Sequence, residues 1–159
     1  MNENTKELCL ELMETAEAGF LTTIDEEGFP VTRAMFNLRR KAQFPALIAV
    51  FEGHQDDFLI YFTTNTSSRK LNHIKTNPKV SVYFCRPREW RGLNLIGSIE
   101  IGNDRALKQS LWQDGWEMYY PEGVDDPDYS VLCMRPRFAR YYHQLQFFQL
   151  DFPPTGVTE

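Results

Sequence analysis

The chain has 159 residues, of which 42% are hydrophobic and 14% aromatic, and its 17 Lys and Arg against 22 Asp and Glu give a formal net charge of −5 at pH 7. This size and apolar content suffice for a single core, so we predict one domain over residues 1–152 and a loose tail over residues 153–159. The acidic balance argues against nucleic acids and anionic membranes as partners, because both require a basic surface.

Two kinds of targeting segment are missing from the sequence. It has no run of about 18 apolar residues, and its first residues lack the basic start and apolar stretch of a signal peptide. We therefore expect a soluble, cytoplasmic protein. Cys9, Cys85 and Cys133 lie far apart and form no CxxC pair, so we expect three reduced thiols and no metal site.

The predicted elements begin with a helix that Asn4 caps and Gly19 closes. A hairpin follows, with strands over residues 20–24 and 30–38 around a turn. Further strands, bounded by Gly, Pro, Asn or Asp, are predicted over residues 46–51, 58–63, 80–85, 93–101, 131–135 and 140–150. Two more helices are predicted, from about residue 68 to 75 and from Asp104 onward. This pattern predicts an antiparallel β-barrel with helices packed outside it.

The most informative stretch runs from a strand end through a hydroxyl-rich turn into a helix that begins with Arg69 and Lys70. Cations are unfavourable there, because the first turn of a helix already carries partial positive charge and unpaired N–H groups. The two cations would be favourable there if a phosphate were bound, by the N–H groups, by Ser67 or Ser68 and by the cations themselves. Alternatively, a residue of the turn caps the helix and both cations are solvated.

A second signal comes from the strand that begins at Pro30. Period-two alternation places Val31, Arg33 and Met35 on one face of it, so Arg33 lies between two apolar neighbours. Such an arginine requires a partner, which is either a carboxylate in the core or an anionic ligand at the barrel rim.

Three segments, in this order, carry a resemblance to a known family. They are PVTRAM at residues 30–35, FTTNTSSRK at residues 62–70 and YYPEGVDDPDYSVLCMRP at residues 119–136. Over about residues 5–150 the chain resembles the pyridoxamine 5′-phosphate oxidase-like FMN-binding split-barrel family, particularly its general stress protein branch. The resemblance implies a mainly β (α+β) fold, a six- to seven-stranded antiparallel split β-barrel with flanking helices. It also implies a homodimer in which each FMN cleft is shared between the subunits.

The resemblance also implies roles for residues near the phosphate and sugar chain of FMN. By position, Arg69 and Lys70 would hold the FMN phosphate together with Ser68. Thr63 and Thr64 would line the ribityl chain and the edge of the ring.

Arg33, Ala34 and Met35 would lie beside the isoalloxazine ring, where the arginine would stabilise negative charge on reduced flavin. The sequence departs from the vitamin B6 oxidases of the family at Leu38, where those enzymes carry a lysine for the substrate phosphate. Oxidation of pyridoxamine phosphate itself is therefore not expected.

These observations predict an FMN-binding protein, a flavin-dependent oxidoreductase acting on an unidentified small molecule. No catalytic base is identified in the sequence. A second hypothesis is a non-catalytic FMN carrier or stress-related flavin sensor. A third is a split barrel that binds another cofactor: pyridoxal phosphate, a deazaflavin, or haem with His143 as a candidate ligand.

Overall fold

The computed structural model describes residues 3–102 and 104–153. In that part of the chain, seven strands form one antiparallel sheet: β1 Ala18–Ile24, β2 Pro30–Phe36, β3 Ile60–Asn65, β4 Lys79–Arg86, β5 Arg91–Gly102, β6 Tyr129–His143 and β7 Gln146–Asp151. Four α-helices accompany them: α1 Glu3–Thr15, α2 Ile48–Phe51, α3 Arg69–Thr76 and α4 Arg105–Leu111. The predicted tail lies outside the described residues from position 154 onward.

The strand order explains why the barrel is split. The sheet runs β2-β1-β4-β5-β6-β3, and β7 pairs with the second half of β6. Strands β2 and β3 end this path and contact each other, but they form no strand pair. The sheet therefore curls into a half-barrel with an open seam between β2 and β3. This confirms the predicted mainly β, antiparallel split barrel with flanking helices.

Alternation along the strands builds the main core. Leu21 and Thr23 of β1 point inward and are fully buried, whereas their neighbours are partly exposed. Helices α1 and α3 cover this core with Leu12 and Leu71. A second, aromatic cluster lies near α4 and includes Trp116, Tyr120 and Tyr129. No helix within the described residues is long and apolar enough to cross a bilayer.

The strand predicted over residues 46–51 is wrong, because this segment is helical. A 3₁₀ turn at Pro45–Leu47 leads directly into α2. Leu47 and Phe51 are both buried, and their four-residue spacing places them on one helical face. Pro45 also favours a helical start, since proline is tolerated in the first turn.

Two other predicted boundaries are wrong. Helix α1 begins at Glu3 and ends at Thr15, so Asn4 lies within it and Gly19 lies within β1. Strand β6 runs without a break from Tyr129 to His143 and so includes the predicted strand over residues 131–135, whereas the predicted strand over residues 140–150 is divided by a turn before β7 begins at Gln146. A proline is tolerated within β6 because Pro136 lies beside Gly97, where the register of β5 and β6 shifts.

Candidate functional site

The turn between β3 and α3 is fixed by one residue from a distant loop. The Asp128 carboxylate accepts hydrogen bonds from the backbone N–H of Ser67 at 2.7 Å and from the side chain of Asn65 at 2.6 Å. The Asp128 carbonyl accepts from the N–H of Thr66 at 2.8 Å. The hydrogen bonds from Asn65 and Ser67 hold the pKa of Asp128 below its ordinary value. This role of Asp128 is not visible in the sequence, because nothing in the spacing links segments so far apart.

Helix α3 begins without a side-chain cap. Ser68 is its N-cap residue, with extended backbone dihedrals, but its hydroxyl makes no capping hydrogen bond. Its Oγ is buried and has no hydrogen-bond partner among the described residues. Buried hydroxyls without a partner are uncommon in folded proteins. The first turn of α3 therefore offers an unpaired hydroxyl and uncapped N–H groups.

Three cations surround this turn without a carboxylate partner. The Lys70 Nζ donates to the Thr64 hydroxyl at 2.8 Å, and the Arg33 Nη1 donates to the Thr23 hydroxyl at 2.8 Å. Neither of them nor Arg69 forms a salt bridge in the described part of the chain. Of the two partners predicted for Arg33, the core carboxylate is therefore not the one observed.

Burial and mutual repulsion act on two of these cations. Burial lowers the pKa of Arg33. Burial also lowers the pKa of Lys70, and the positive charge of Arg33 lowers it further. An anion bound between them would relieve this repulsion.

Two clefts that share Lys70 lie beside β2, the larger between β2 and β3 and the smaller between β2 and α3. The larger, of about 560 Å³, is lined by Ala34 and Met35 from β2 and by Thr63 and Thr64 from β3. The smaller, of about 420 Å³, is lined by Arg33, Arg69 and His73 and also by two acidic residues, Asp25 and Glu26. Lys70 lines both clefts, whereas Ser68 lines neither. Arg33 therefore lines the same cleft as the other two cations, whereas Ala34 and Met35 line the larger cleft.

Aromatic residues form the far wall of the larger cleft. Trp116 and Tyr120 are buried, whereas Tyr119 is 50% exposed at the mouth. Burial, together with the nearby charges of Asp128 and Asp126, raises the pKa of Tyr120 to about 12. Tyr120 therefore remains a neutral phenol at physiological pH. No binding role is predicted for these three residues from the sequence, although their aromatic clustering is visible in it.

The alternative ligand residues lie elsewhere. His143 ends β6 and lines neither cleft. Cys9, Cys85 and Cys133 are free thiols. Within the described ranges, no group of three or more His, Cys, Asp or Glu is placed to hold a metal ion.

Comparison with known proteins identifies the family. The family model described as pyridoxamine 5′-phosphate oxidase matches residues 5–143. A solved structure from Clostridium acetobutylicum is 34% identical to this chain in sequence. It is described as a protein related to general stress protein 26 of B. subtilis, of the pyridoxinephosphate oxidase family. Its TM-score is 0.76, and the match covers 95% of this chain and 96% of that chain. No curated protein matches the chain.

Two more distant structures share the fold. General stress protein 26 from Bacillus anthracis is 23% identical, with a TM-score of 0.68 over 92% of this chain and 99% of that chain. A heme binding protein from Mycobacterium smegmatis is 14% identical, with a TM-score of 0.66 over 95% of this chain and 59% of that chain. At these identities the likeness concerns the fold alone. The family match and the similarity to the Clostridium protein show that this chain belongs to the pyridoxamine 5′-phosphate oxidase family.

Proposed function

We propose that the chain binds FMN at the seam between β2 and β3 and acts as a flavin-dependent oxidoreductase on a small molecule. One observation carries this proposal. Arg33, Arg69 and Lys70 surround the uncapped start of α3 without a carboxylate partner in the described part of the chain. A phosphate is the ligand chemistry that such a set of donors favours.

The residues present fit the phosphate group of FMN. The Ser68 hydroxyl, which is buried and lines neither cleft, would gain the partner that it lacks only if its side chain turned toward the phosphate. The cations would gain charge-assisted hydrogen bonds, which are about twice as strong as neutral ones. The N-terminal N–H groups and the dipole of α3 would favour the same negative charge.

The adjoining larger cleft fits the rest of the cofactor. Its volume of about 560 Å³ lies within the usual range of ligand pockets. Thr63 and Thr64 would offer hydroxyls to the ribityl chain, and Ala34 and Met35 would pack beside the ring. When bound, FMN supplies the hydride or electron transfer chemistry. The neutral Tyr120 hydroxyl in the same cleft can donate a hydrogen bond to a substrate or to the ring.

The substrate of the vitamin B6 oxidases is not part of this proposal. Leu38 occupies the position where the resemblance places their substrate-anchoring lysine, and it is only 2% exposed. Leu38 packs in the aromatic cluster with Phe44 and Leu111. It cannot contribute a charge for a substrate phosphate.

The proposal includes a homodimer that covers the cleft. Phe36 and Tyr119 both line the larger cleft and are 47% and 50% exposed. A second copy packed over this mouth would bury them and exclude water from the ring. Sedimentation equilibrium at micromolar concentration tests this part, and a flavin-loaded monomer would contradict it.

One observation favours a second candidate function, a non-catalytic FMN carrier or sensor. Neither histidine nor cysteine is found among the described residues that line the larger cleft. A conventional acid–base group for turnover is therefore limited there to Glu17, Lys70 and tyrosines. Steady consumption of a reduced nicotinamide by the FMN-loaded protein would favour the oxidoreductase, and binding without consumption would favour the carrier.

The experiment that tests cofactor binding compares FMN with riboflavin. Because riboflavin lacks the phosphate, we expect it to bind at least about tenfold more weakly than FMN, as measured by quenching of flavin fluorescence. Pyridoxal phosphate, haem and a deazaflavin are titrated in parallel. Equal affinity for FMN and riboflavin, or tight binding of another cofactor in place of FMN, would overturn the proposal.

A further inference from the structure

A chain of polar side chains passes along the smaller cleft, which Arg33, His73 and Glu26 line. The Arg33 Nη1 lies 2.8 Å from the Thr23 Oγ1, and this oxygen lies 3.0 Å from the His73 Nδ1. The His73 Nε2 lies 3.8 Å from a carboxylate oxygen of Glu26. Thr23 is fully buried and His73 is 5% exposed, so water cannot readily replace either partner. The chain joins β2, β1, α3 and the turn after β1.

The direction of each hydrogen bond follows from the chemistry of the groups. Arginine can only donate, so the Thr23 oxygen accepts from Arg33. The hydroxyl proton of Thr23 then needs an acceptor, and His73 Nδ1 is its one remaining partner among the described residues. Nδ1 therefore accepts, and the ring proton resides on Nε2, which faces Glu26.

This chain fixes one end of the Arg33 guanidinium. Nη1 also donates to the Leu21 carbonyl at 3.3 Å, so both of its observed bonds are to β1. Nε and Nη2 have no hydrogen-bond partner in the described part of the chain. An Nε–Nη2 edge can bind two oxygens of a phosphate or carboxylate at once.

We propose that Thr23 and His73 are positioning residues for Arg33. They hold Nη1 on β1, so that the Nε–Nη2 edge is presented in the smaller cleft to the phosphate of the cofactor. This inference rests on the proposed function, because it assumes a phosphate ligand. Fixing the guanidinium before the ligand arrives reduces the conformational entropy lost on binding.

The experiment measures the ratio of riboflavin to FMN dissociation constants in variants of the chain. Thr23→Val keeps the side-chain shape but removes the hydroxyl, whereas Thr23→Ser retains it. We expect Thr23→Val to reduce the ratio by about threefold to tenfold and Thr23→Ser to restore it, the change expected for one hydrogen bond. Loosened packing alone would weaken both ligands equally and leave the ratio unchanged.

Replacement of His73 separates its two possible contributions. His73→Asn keeps an acceptor near the position of Nδ1, and His73→Leu does not. We expect the leucine variant to reduce the ratio like Thr23→Val, and the asparagine variant to retain most of it. The matched control is Thr22→Val, which removes a hydroxyl from the other face of β1, where Thr22 bonds Thr32 at 2.7 Å. This control should leave the ratio unchanged.

A double-variant cycle tests whether the effect passes through Arg33. In an Arg33→Leu background, Thr23→Val should change the ratio no further, because the group it positions is absent. If the wild type prefers FMN and Thr23→Val shows the same preference, this inference is overturned but the proposed function is not. A wild-type protein with no preference for FMN would overturn the proposed function, and this inference with it.

Nitrogen NMR gives a readout that needs no ligand. Histidine ¹⁵N shifts of the ligand-free protein should show the Nε2–H tautomer for His73 and loss of the Nδ1 hydrogen bond in Thr23→Val. A proton on Nδ1 in the wild type would reverse the assigned bond direction and overturn the inference.

Discussion

The Asp128 carboxylate accepts a hydrogen bond from the backbone N–H of Ser67 at 2.7 Å, across a separation of 61 residues. Through this contact the loop before β6 holds the turn that precedes α3. Ser68, Arg69 and Lys70 follow this turn directly. The geometry of the proposed phosphate site therefore depends on a residue that lines neither cleft.

We expect Asp128→Ala to weaken FMN binding by about threefold to tenfold, because the turn loses its two hydrogen bonds to the carboxylate and α3 is held less firmly. The measurement is the FMN dissociation constant by fluorescence quenching, at pH 7. Asp114→Ala removes an exposed carboxylate of similar charge and serves as the control. Equal affinities of the two variants would show that the turn does not need Asp128.

The lowered pKa of Asp128 predicts how this contribution depends on pH. The hydrogen bonds from Asn65 and Ser67 favour the ionised carboxylate in the folded state. Its stabilisation is therefore fully present above the ordinary aspartate pKa of about 3.9 and is lost as pH falls through the lower folded value. Thermal melts from pH 7 to pH 3 should show a constant difference between wild type and Asp128→Ala above about pH 5, shrinking at lower pH. A difference that grows on acidification would contradict the assignment.

Much of the fold can be predicted from local patterns in the sequence. Alternation places Val31, Arg33 and Met35 on one face of β2, and these are the partly buried positions of that strand. Asp104 caps α4 as predicted, with its carboxylate accepting from the N–H of Leu107 at 3.0 Å. These features depend on neighbours within a few residues, and such neighbours are visible in the sequence.

Features that depend on distant contacts could not be predicted in this way. Short apolar runs fit a strand or a buried helix equally well, and burial of Leu47 and Phe51 in the second core decides for a helix at α2. The approach of Thr23 to His73 spans 50 residues and follows from packing α3 on β1. Likewise, the separation of Arg33 from Ala34 into different clefts depends on where β2 meets β3 and α3.

Substitution of Gly97 is expected to destabilise the fold strongly. A Cβ at this position would lie 2.7 Å from the Arg135 carbonyl oxygen and 3.0 Å from the Pro136 Cα, both backbone atoms. We expect Gly97→Ala to reduce the free energy of unfolding by about 1–3 kcal/mol, because the β5–β6 pair must move apart. Urea unfolding measures the change.

Gly53 offers the matched control for that substitution. A Cβ there would meet nothing within 4 Å, and its φ is not positive. Gly53→Ala should leave the unfolding free energy unchanged or raise it by about 0.4–1 kcal/mol. Equal destabilisation by the two variants would indicate that steric contact at the register shift is not the cause.

Lys70 is expected to strengthen ligand binding without stabilising the ligand-free protein. Burial and the charge of Arg33 lower its pKa, so the charged form is disfavoured in the folded, ligand-free state. Lys70→Met removes this charge and the donor to Thr64 while keeping the apolar stem. We expect the ligand-free melting temperature to stay equal or rise by up to about 3 °C, and FMN affinity to fall at least about tenfold. Lys75→Met, an exposed change in the last turn of α3, should leave FMN affinity unchanged. A Lys70→Met variant that melts several degrees lower yet binds FMN normally would assign Lys70 to the support of β3 and α3, because a phosphate ligand of the site cannot be replaced without loss of affinity.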